Sequence, residues 1–590
     1  PLDTVCNAPD SDLWHTLIEA DNYHALQLLE YLYAGKVDCI YIDPPYNTGA
    51  RDWKYNNDYV DGNDTYRHSK WLSMMEKRLQ LAKKLLNPND SVLIVTIDEK
   101  EYLHLGCLLE EIFSEARMQM VTSVISAKGV VRTGQFSRVE EYIFVIEFGS
   151  SSLVPGIYNM LDNEVKKESE RSIEWLGFRR RAPQAKRESR PNQFYPVFVH
   201  KNDGTIHSIG DVVKAGIDRN SIEIPDGCIA LWPLSKDSDE RLWSLVPEQA
   251  RLNLSKGFLR VNNWSSKEKT GTVYYLPSGT IRDIETGKAV ITGRNPDGSV
   301  IAKYTDEGVT PPKRVWNMKT HNAETYGTNV LNAMIGKRFN YPKSLYAVQD
   351  TLRFFVANKP NALIVDFFAG SGTTLHAVNL LNAEDGGHRR CILVTNNEVS
   401  ADEAKTLSAQ GYQPGDPEWE QYGIARYVTW PRTVCSIEGH DVNGKPLKGD
   451  YITSGEEPMH MADGFKANAA FFKLGFLDKN AVALGRQFKE LLPVLWLKAG
   501  AHGPCPSLEE AAEMPAMLVL PENHFAVLTN ESQYETFATQ VNIEDAITTV
   551  YIVTDSEPGY REMISGLHAE DTYQLYRDYL DNFRINHGGR

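Results

Sequence analysis

Apolar positions along residues 20–150 alternate between two periods. Val37 to Ile42 is a short, β-branched apolar run and reads as a buried strand. Trp71, Leu72, Met75, Leu79, Ala82 and Leu86 then recur at helical spacing, which predicts a helix with one core-facing side, ended by Asn87-Pro88-Asn89-Asp90. Ser91 to Ile97 and Tyr142 to Phe148 read as further strands. Between them, Asp98 with Glu101 three residues on predicts a capping box opening a helix. Strands alternating with helices predict a mostly parallel sheet covered on both faces.

The pattern changes over 150–310. Helical periodicity fades after about residue 170, and turn clusters appear at Asn202-Asp203-Gly204, Pro225-Asp226-Gly227 and Asn295-Pro296-Asp297-Gly298-Ser299. Short strand-like runs between them predict a β-rich insertion. The α/β pattern resumes near 311, with strands at Ala362–Phe367 and Cys391–Thr395 and a helix starting at Thr374. Beyond 440 a separate α/β segment is expected. The chain thus divides into 1–149, 150–310, 311–440 and 441–590, with no internal repeat and no long low-complexity tract.

Composition narrows the class. The chain has 590 residues, 42% hydrophobic and 24% charged, an ordinary globular balance. No apolar run of about 18 residues occurs, so no spanning helix is expected. The start, Pro1-Leu2-Asp3, shows no basic-then-apolar leader, and its lack of an initiator Met leaves room for upstream residues. The seven cysteines are odd in number, and none has the spacing of a metal site; reduced thiols in a cytoplasmic protein, and no metal, are expected. The formal charge of −16 argues by itself against a nucleic-acid partner. However, residues 451–590 alone hold 20 acids against 10 bases, which leaves the remainder nearly balanced.

Two motifs carry chemistry. In Tyr41-Ile42-Asp43-Pro44-Pro45-Tyr46-Asn47-Thr48-Gly49 an acid, two prolines and an aromatic ring follow a buried strand. Ligands of open α/β sheets bind at such carboxyl ends. The prolines fix φ and remove two donors, so their carbonyls are expected to point out without local partners. The second motif is Asp366-Phe367-Phe368-Ala369-Gly370-Ser371-Gly372-Thr373, a strand, a Gly-rich turn and a helix start. No Lys follows, so it is not a Walker-type loop, and Leu375 replaces the third Gly of a dinucleotide fingerprint. Glu398, past the next strand, stands where nucleoside-binding folds place an acid on the ribose, although its spacing from Gly372 is long.

Together these motifs resemble S-adenosylmethionine-dependent DNA amino-methyltransferases. Asp43 precedes Asp366 by 323 residues with a β-rich block between them, the motif order of the permuted β class. Ala20-Asp21-Asn22-Tyr23, Trp71 to Met75, Glu140 to Ile143, Tyr326 to Asn329 and Tyr341 to Leu345 bring the likeness closer to the modification subunit of type III restriction-modification systems. The resemblance covers about residues 15–430. It implies a Rossmann-like, doubly wound methyltransferase sheet with circularly permuted motifs, a target-recognition insertion and an extra C-terminal α/β domain. It implies catalysis by Asp43, Pro44, Pro45 and Tyr46 on a flipped adenine in double-stranded DNA. For the cofactor it implies Asp21 near the adenine amine and Glu398 on the ribose. Asp366, Phe367, Phe368, Gly370, Ser371, Gly372 and Thr373 would hold the methionine end, with Asn47, and with Thr328, Asn329 and Lys343 near its carboxylate. A homodimer, an ATP-dependent restriction or helicase subunit as partner, and a cytoplasmic location are implied as well.

A DNA surface needs basic residues. Phe178 to Arg190 holds Arg179, Arg180, Arg181, Lys186, Arg187 and Arg190 beside Trp175, Phe194 and Tyr195, a basic patch interleaved with aromatics. Lys128, Arg132 and Arg138 are expected to add phosphate contacts. N4-cytosine methylation, methylation of RNA or of protein Gln, and a recognition subunit positioning a partner are the competing readings.

Overall fold

The computed structural model describes the chain except residues 49, 56–57, 62, 130–133, 135, 156–159, 162–172, 181–185, 236, 286–287, 305–311, 454–456, 476–487, 509–513 and 576–590. Two compact units form: Pro1–Asn163 with Pro311–Arg590, and Glu164–Thr310.

The first unit is built on a ten-stranded sheet. At its centre Cys39–Ile42 pairs in parallel with Leu363–Asp366, Ile364 opposite Cys39 and Val365 opposite Ile40. From Cys39–Ile42 the sheet continues outward through Asp90–Ile97, Glu140–Gly149, Arg117–Val124 and Val315–Trp316. From Leu363–Asp366 it continues the other way through Arg390–Thr395, Trp14–Glu19, Asn468–Lys473 and Asp3–Cys6. The sheet is thus wound outward in opposite directions from this parallel central pair, a topological switch point. Parallel pairings dominate, and Glu140–Gly149 is antiparallel to both its neighbours.

Alternation along the strands explains the two covered faces. Ile40, Ile42, Leu93, Val95 and Val365 join one core with the helices Asn22–Tyr33 and Arg67–Leu85. Cys39, Tyr41, Val92, Ile94 and Ile364 join the other with Leu345–Val356 and Thr373–Asp385. The helix read from Trp71 onward buries Trp71, Met75, Leu79, Ala82 and Leu85.

Two expectations differ. The segment after 440 does not stand apart: Asn468–Lys473, an apolar run buried over its first five residues, lies in the main sheet between Asp3–Cys6 and Trp14–Glu19. A four-stranded sheet follows, Met517–Leu520, Phe525–Leu528, Thr549–Val553 and Asp571–Leu575. Its Val527 and Tyr551 face the same core as the helix Asn22–Tyr33. The capping box is also absent. Glu101 is itself the N-cap of Tyr102–Ile112 and makes no side-chain cap bond, because its buried carboxylate is taken by tertiary partners.

The Glu164–Thr310 unit is β-rich. Val197–His200 pairs with Ile206–Ile209 and Cys228–Leu231, and Leu259–Ser265 pairs with Thr270–Tyr275. Phe178, Tyr195 and Trp243 are buried in its core, the Phe178 and Trp243 rings stacked at 5.0 Å.

Candidate active site

Parallel pairing sets the carboxyl ends of Cys39–Ile42 and Leu363–Asp366 side by side, so the two motifs meet although they are far apart in sequence. They open onto a cleft of about 2380 Å³. That exceeds the roughly 300–1,000 Å³ of a single small-ligand pocket. Asp21, Asp43, Pro44, Pro45 and Tyr46 line it, as do Thr328, Lys343, Phe367, Phe368, Gly370 and Glu398. Asp366, Ser371 and Thr373 border an adjoining recess that Asp43 and Lys343 share.

Asp43 is held by what surrounds it. The Thr96 hydroxyl, from the neighbouring strand, donates to its Oδ1 at 2.6 Å, and Lys343 Nζ lies 3.2 Å from the same oxygen. The ammonium also donates to the Tyr46 hydroxyl, sits 4.5 Å from the centre of the Tyr46 ring, and lies 2.7 Å from Glu141 Oε2. Burial opposes the charge on Lys343, but the Asp43 and Glu141 carboxylates outweigh it and hold the lysine above its ordinary range. Burial, then Asp43 and Glu141, push the Tyr46 phenol well up, so Tyr46 is neutral at physiological pH.

The proline carbonyls are not equivalent. Pro45 accepts from the Trp71 indole at 2.7 Å, which corrects the expectation that both are free. The Pro44 carbonyl accepts no hydrogen bond among the described residues. Asn47 departs from its expected cofactor role. It is buried, with φ of 55°, and its amide donates to Glu101 Oε1 at 2.5 Å, beneath the loop rather than into the cleft. His68 Nδ1 meets the same oxygen, so a buried carboxylate anchors the loop from behind.

The Gly-rich turn is likewise pinned from below. Asp366 is buried, and its carboxylate accepts from Thr374 Oγ1 at 2.6 Å and from the Phe368 amide at 3.0 Å. Burial pushes its carboxyl up to about 7 against those two bonds, with Asp43 adding to the rise. Gly372 has φ of 78°, and a Cβ there would meet Thr429 Cγ2 at 3.1 Å. It caps the helix Thr373–Asp385 and shapes the turn rather than lining the cleft. Arg432, fully buried, donates to Ser371 Oγ at 3.0 Å and Thr373 Oγ1 at 2.7 Å. Ser371 and Thr373 thus spend their hydroxyls on the protein. Asn329 begins the helix Asn329–Ile335 and does not line the cleft. Asp21 caps Asn22–Tyr33, accepting from the Tyr23 amide at 2.9 Å.

Residues 37–405 match the DNA methylase family. The chain belongs to the N6/N4 DNA methylase family. It is 28% identical over 427 residues to the Mod subunit of the type III restriction-modification enzyme EcoPI of Escherichia phage P1, covering 67% of this chain and 59% of that one. It is 26% identical over 541 residues to the StyLTI Mod subunit of Salmonella typhimurium, covering 84% and 72%. The chain therefore spans about three fifths of the length of the phage relative. The crystal structure of an M1.HpyAVI–SAM complex aligns over 70% of this chain and 98% of its own, with 10% identity and a TM-score of 0.27.

Within this family member, Glu141, Thr96, Arg432 and Thr429 are site residues that the motif reading missed. Thr96 had a signal, as a polar residue at the carboxyl end of the strand beside Asp43. Arg432 had none, since it reaches Ser371 from 61 residues away.

The basic residues separate. Arg187 is buried: Nη1 donates to Glu240 at 2.9 Å, Nε to the Val213 carbonyl at 3.2 Å and Nη2 to Ile217 at 3.0 Å, with the Phe194 ring 4.2 Å away. It is a core residue of the second unit, and Phe194 and Tyr195 are buried with it, so neither ring offers a stacking surface. Arg179 donates to the Leu234 carbonyl and Arg180 to the Ser244 carbonyl at 3.4 Å. Lys186 and Arg190 are exposed. Arg132 and Arg181 lie outside the described residues. Lys128 is exposed with Glu324 at 3.7 Å, whereas Arg138 is half-spent on Asp98 at 3.4 Å and Glu141 at 3.6 Å.

Proposed function

We propose that this chain transfers the methyl group of S-adenosylmethionine to the N6 amine of a flipped adenine in duplex DNA, as the modification and recognition subunit of a restriction-modification system. The observation that carries the reading is the meeting of Asp43 and the Gly-rich turn in one recess at the switch point of the sheet. Family membership and the relatives that are Mod subunits support it.

The residues suit the cofactor. Phe368 and Gly370 border the recess, the backbone of Gly370 approaching without a Cβ, while Asp21 and Glu398 line the same cleft as carboxylates for its amine and ribose hydroxyls. S-adenosylmethionine, when bound there, supplies an electrophilic methyl group on a sulfonium. The protein's part is to make an amine attack it. The exocyclic amine is a poor nucleophile because its lone pair is delocalised into the ring. Asp43 and the unpartnered Pro44 carbonyl accept its two hydrogens and favour a more tetrahedral nitrogen. Such contacts strengthen in the transition state and act on kcat. As the N–C bond forms and the C–S bond breaks, the surplus proton leaves the nitrogen toward Asp43. The target base leaves the stack, and Tyr46 stacks on it.

In this reading the Glu164–Thr310 unit recognises DNA, with exposed Lys186 and Arg190 on phosphates. A second copy and an ATP-dependent restriction subunit are its protein partners. The test is purified protein with unmethylated genomic DNA and S-adenosylmethionine, read by nucleoside mass spectrometry. N6-methyladenine is expected. N4-methylcytosine instead would overturn the adenine assignment, and no methylated base with cofactor bound would overturn the enzyme.

A further inference from the structure

Glu141 takes no part in the proposed methyl transfer, yet it is buried in the cleft beside the catalytic acid. Its two oxygens are divided: Oε1 lies 3.6 Å from Arg138 Nη2, and Oε2 lies 2.7 Å from Lys343 Nζ. Arg138 is in turn fixed by Asp98 and by the Glu140 carbonyl. Glu141 is thus a stationary anion in the site.

Lys343 is its counterpart. One ammonium touches Asp43 Oδ1 and the Tyr46 hydroxyl at the same time, 4.5 Å from the centre of the Tyr46 ring. A base that stacks on the Tyr46 ring while offering its amine to Asp43 brings that amine to the oxygen the ammonium holds. An ammonium left there would compete for the acid's lone pairs. It would also repel the positive charge that appears on the amine as its new bond forms. Glu141 is the carboxylate nearest the ammonium, closer than Asp43.

We infer that Glu141 is a positioning residue: it draws the Lys343 ammonium off Asp43 and Tyr46 and holds it aside while the target base offers its amine to Asp43. This rests on the methyl-transfer reading. Lys343, expected near the methionine carboxylate, has here contacts to Asp43, Tyr46 and Glu141 as well.

The test compares steady-state methylation of the parent, E141Q, K343M and the double variant at saturating cofactor. E141Q should lose about tenfold or more in kcat with little change in KM for the cofactor. K343M should restore most of that loss in the E141Q background, a rescue that a purely structural Glu141 would not show. An E141Q enzyme within twofold of the parent, or a double variant no faster than E141Q, overturns the role. If E141Q does not fold, E141D with and without K343M decides: the shortened carboxylate should lower kcat, K343M should recover most of that loss, and no recovery overturns the role. A parent chain that methylates nothing overturns the proposed function and this role with it. Failed rescue in an active parent overturns only the role.

Discussion

The Asp43 loop and the basic run of 178–190 are the two most conspicuous stretches of the sequence, and the structure treats them oppositely. The loop's acid, ring and one free carbonyl all face a single cleft. The basic run is dispersed: Arg187 is a core residue, Arg179 and Arg180 donate to nearby carbonyls, and Lys186 and Arg190 remain exposed. The loop's fate is set by backbone topology, because a strand that ends at a switch point must deliver its next residues there. The fate of an arginine is set by whichever carbonyls and carboxylates distant segments bring to it. Glu240, 53 residues on, decides Arg187.

The largest expected effect tests the loop. Asp43→Ala should lower methylation by at least roughly 10²–10³-fold, the cost of a preorganised group that acts in the transition state. Cofactor affinity by calorimetry should be unchanged, since Asp366 and the Gly-rich turn are left intact. Methylation at the parent rate would dissolve the contrast from its stronger side.

Arg187→Ala tests the other side. It leaves Glu240 with Arg219 alone, at 3.5 Å, and strands several carbonyls that the guanidinium now satisfies. Loss of a buried paired charge should cost roughly 2–4 kcal/mol, read as a lower unfolding midpoint. A variant as stable as the parent but weaker on DNA would return Arg187 to the binding surface.

How much was legible follows the same division. The central strands and the helical stretch from Trp71 to Leu85 followed from apolar runs and helical spacing, whereas a site shared by Asp43 and Asp366 was implied by the family resemblance. The sheet strand Asn468–Lys473 lies in an apolar run too, but nothing local says it inserts between Asp3–Cys6 and Trp14–Glu19. Asn47 sits inside the motif and still turns away, because Glu101 is buried behind it. Glu141 and Arg432 are single polar residues whose partners are tertiary, so no spacing rule reaches them; Lys343 was named through the resemblance, but its contacts with Asp43 and Tyr46 were not.

Asp366 gives a smaller, pH-dependent effect. Burial raises its carboxyl from the ordinary 3.8 to about 7. Between those values the folded chain keeps a proton that the unfolded chain has released. Stability therefore falls as pH rises from about 4 to about 7, and the loss is complete above that. Asp366→Asn removes this titration while keeping one acceptor for Thr374 or the Phe368 amide. Its unfolding midpoint should gain on the parent's across that interval. A constant difference between the two would place the proton elsewhere.

The smallest expected effect separates the exposed members of the basic run from the buried one. Lys186→Ala and Arg190→Ala remove side chains that carry no fold, so unfolding midpoints should stay near the parent's. Each phosphate contact contributes about 0.9 to the slope of log affinity against log salt concentration. Each substitution should therefore flatten that slope by about one, whatever the DNA sequence, if its charge meets a phosphate. Arg187→Ala, compared at a temperature where it is folded, should leave the slope as it was. If all three variants flattened it equally, burial would not be what divides the run. If only Lys186 and Arg190 do, then exposure, and not basic composition, is what makes an arginine or lysine in this stretch a DNA contact.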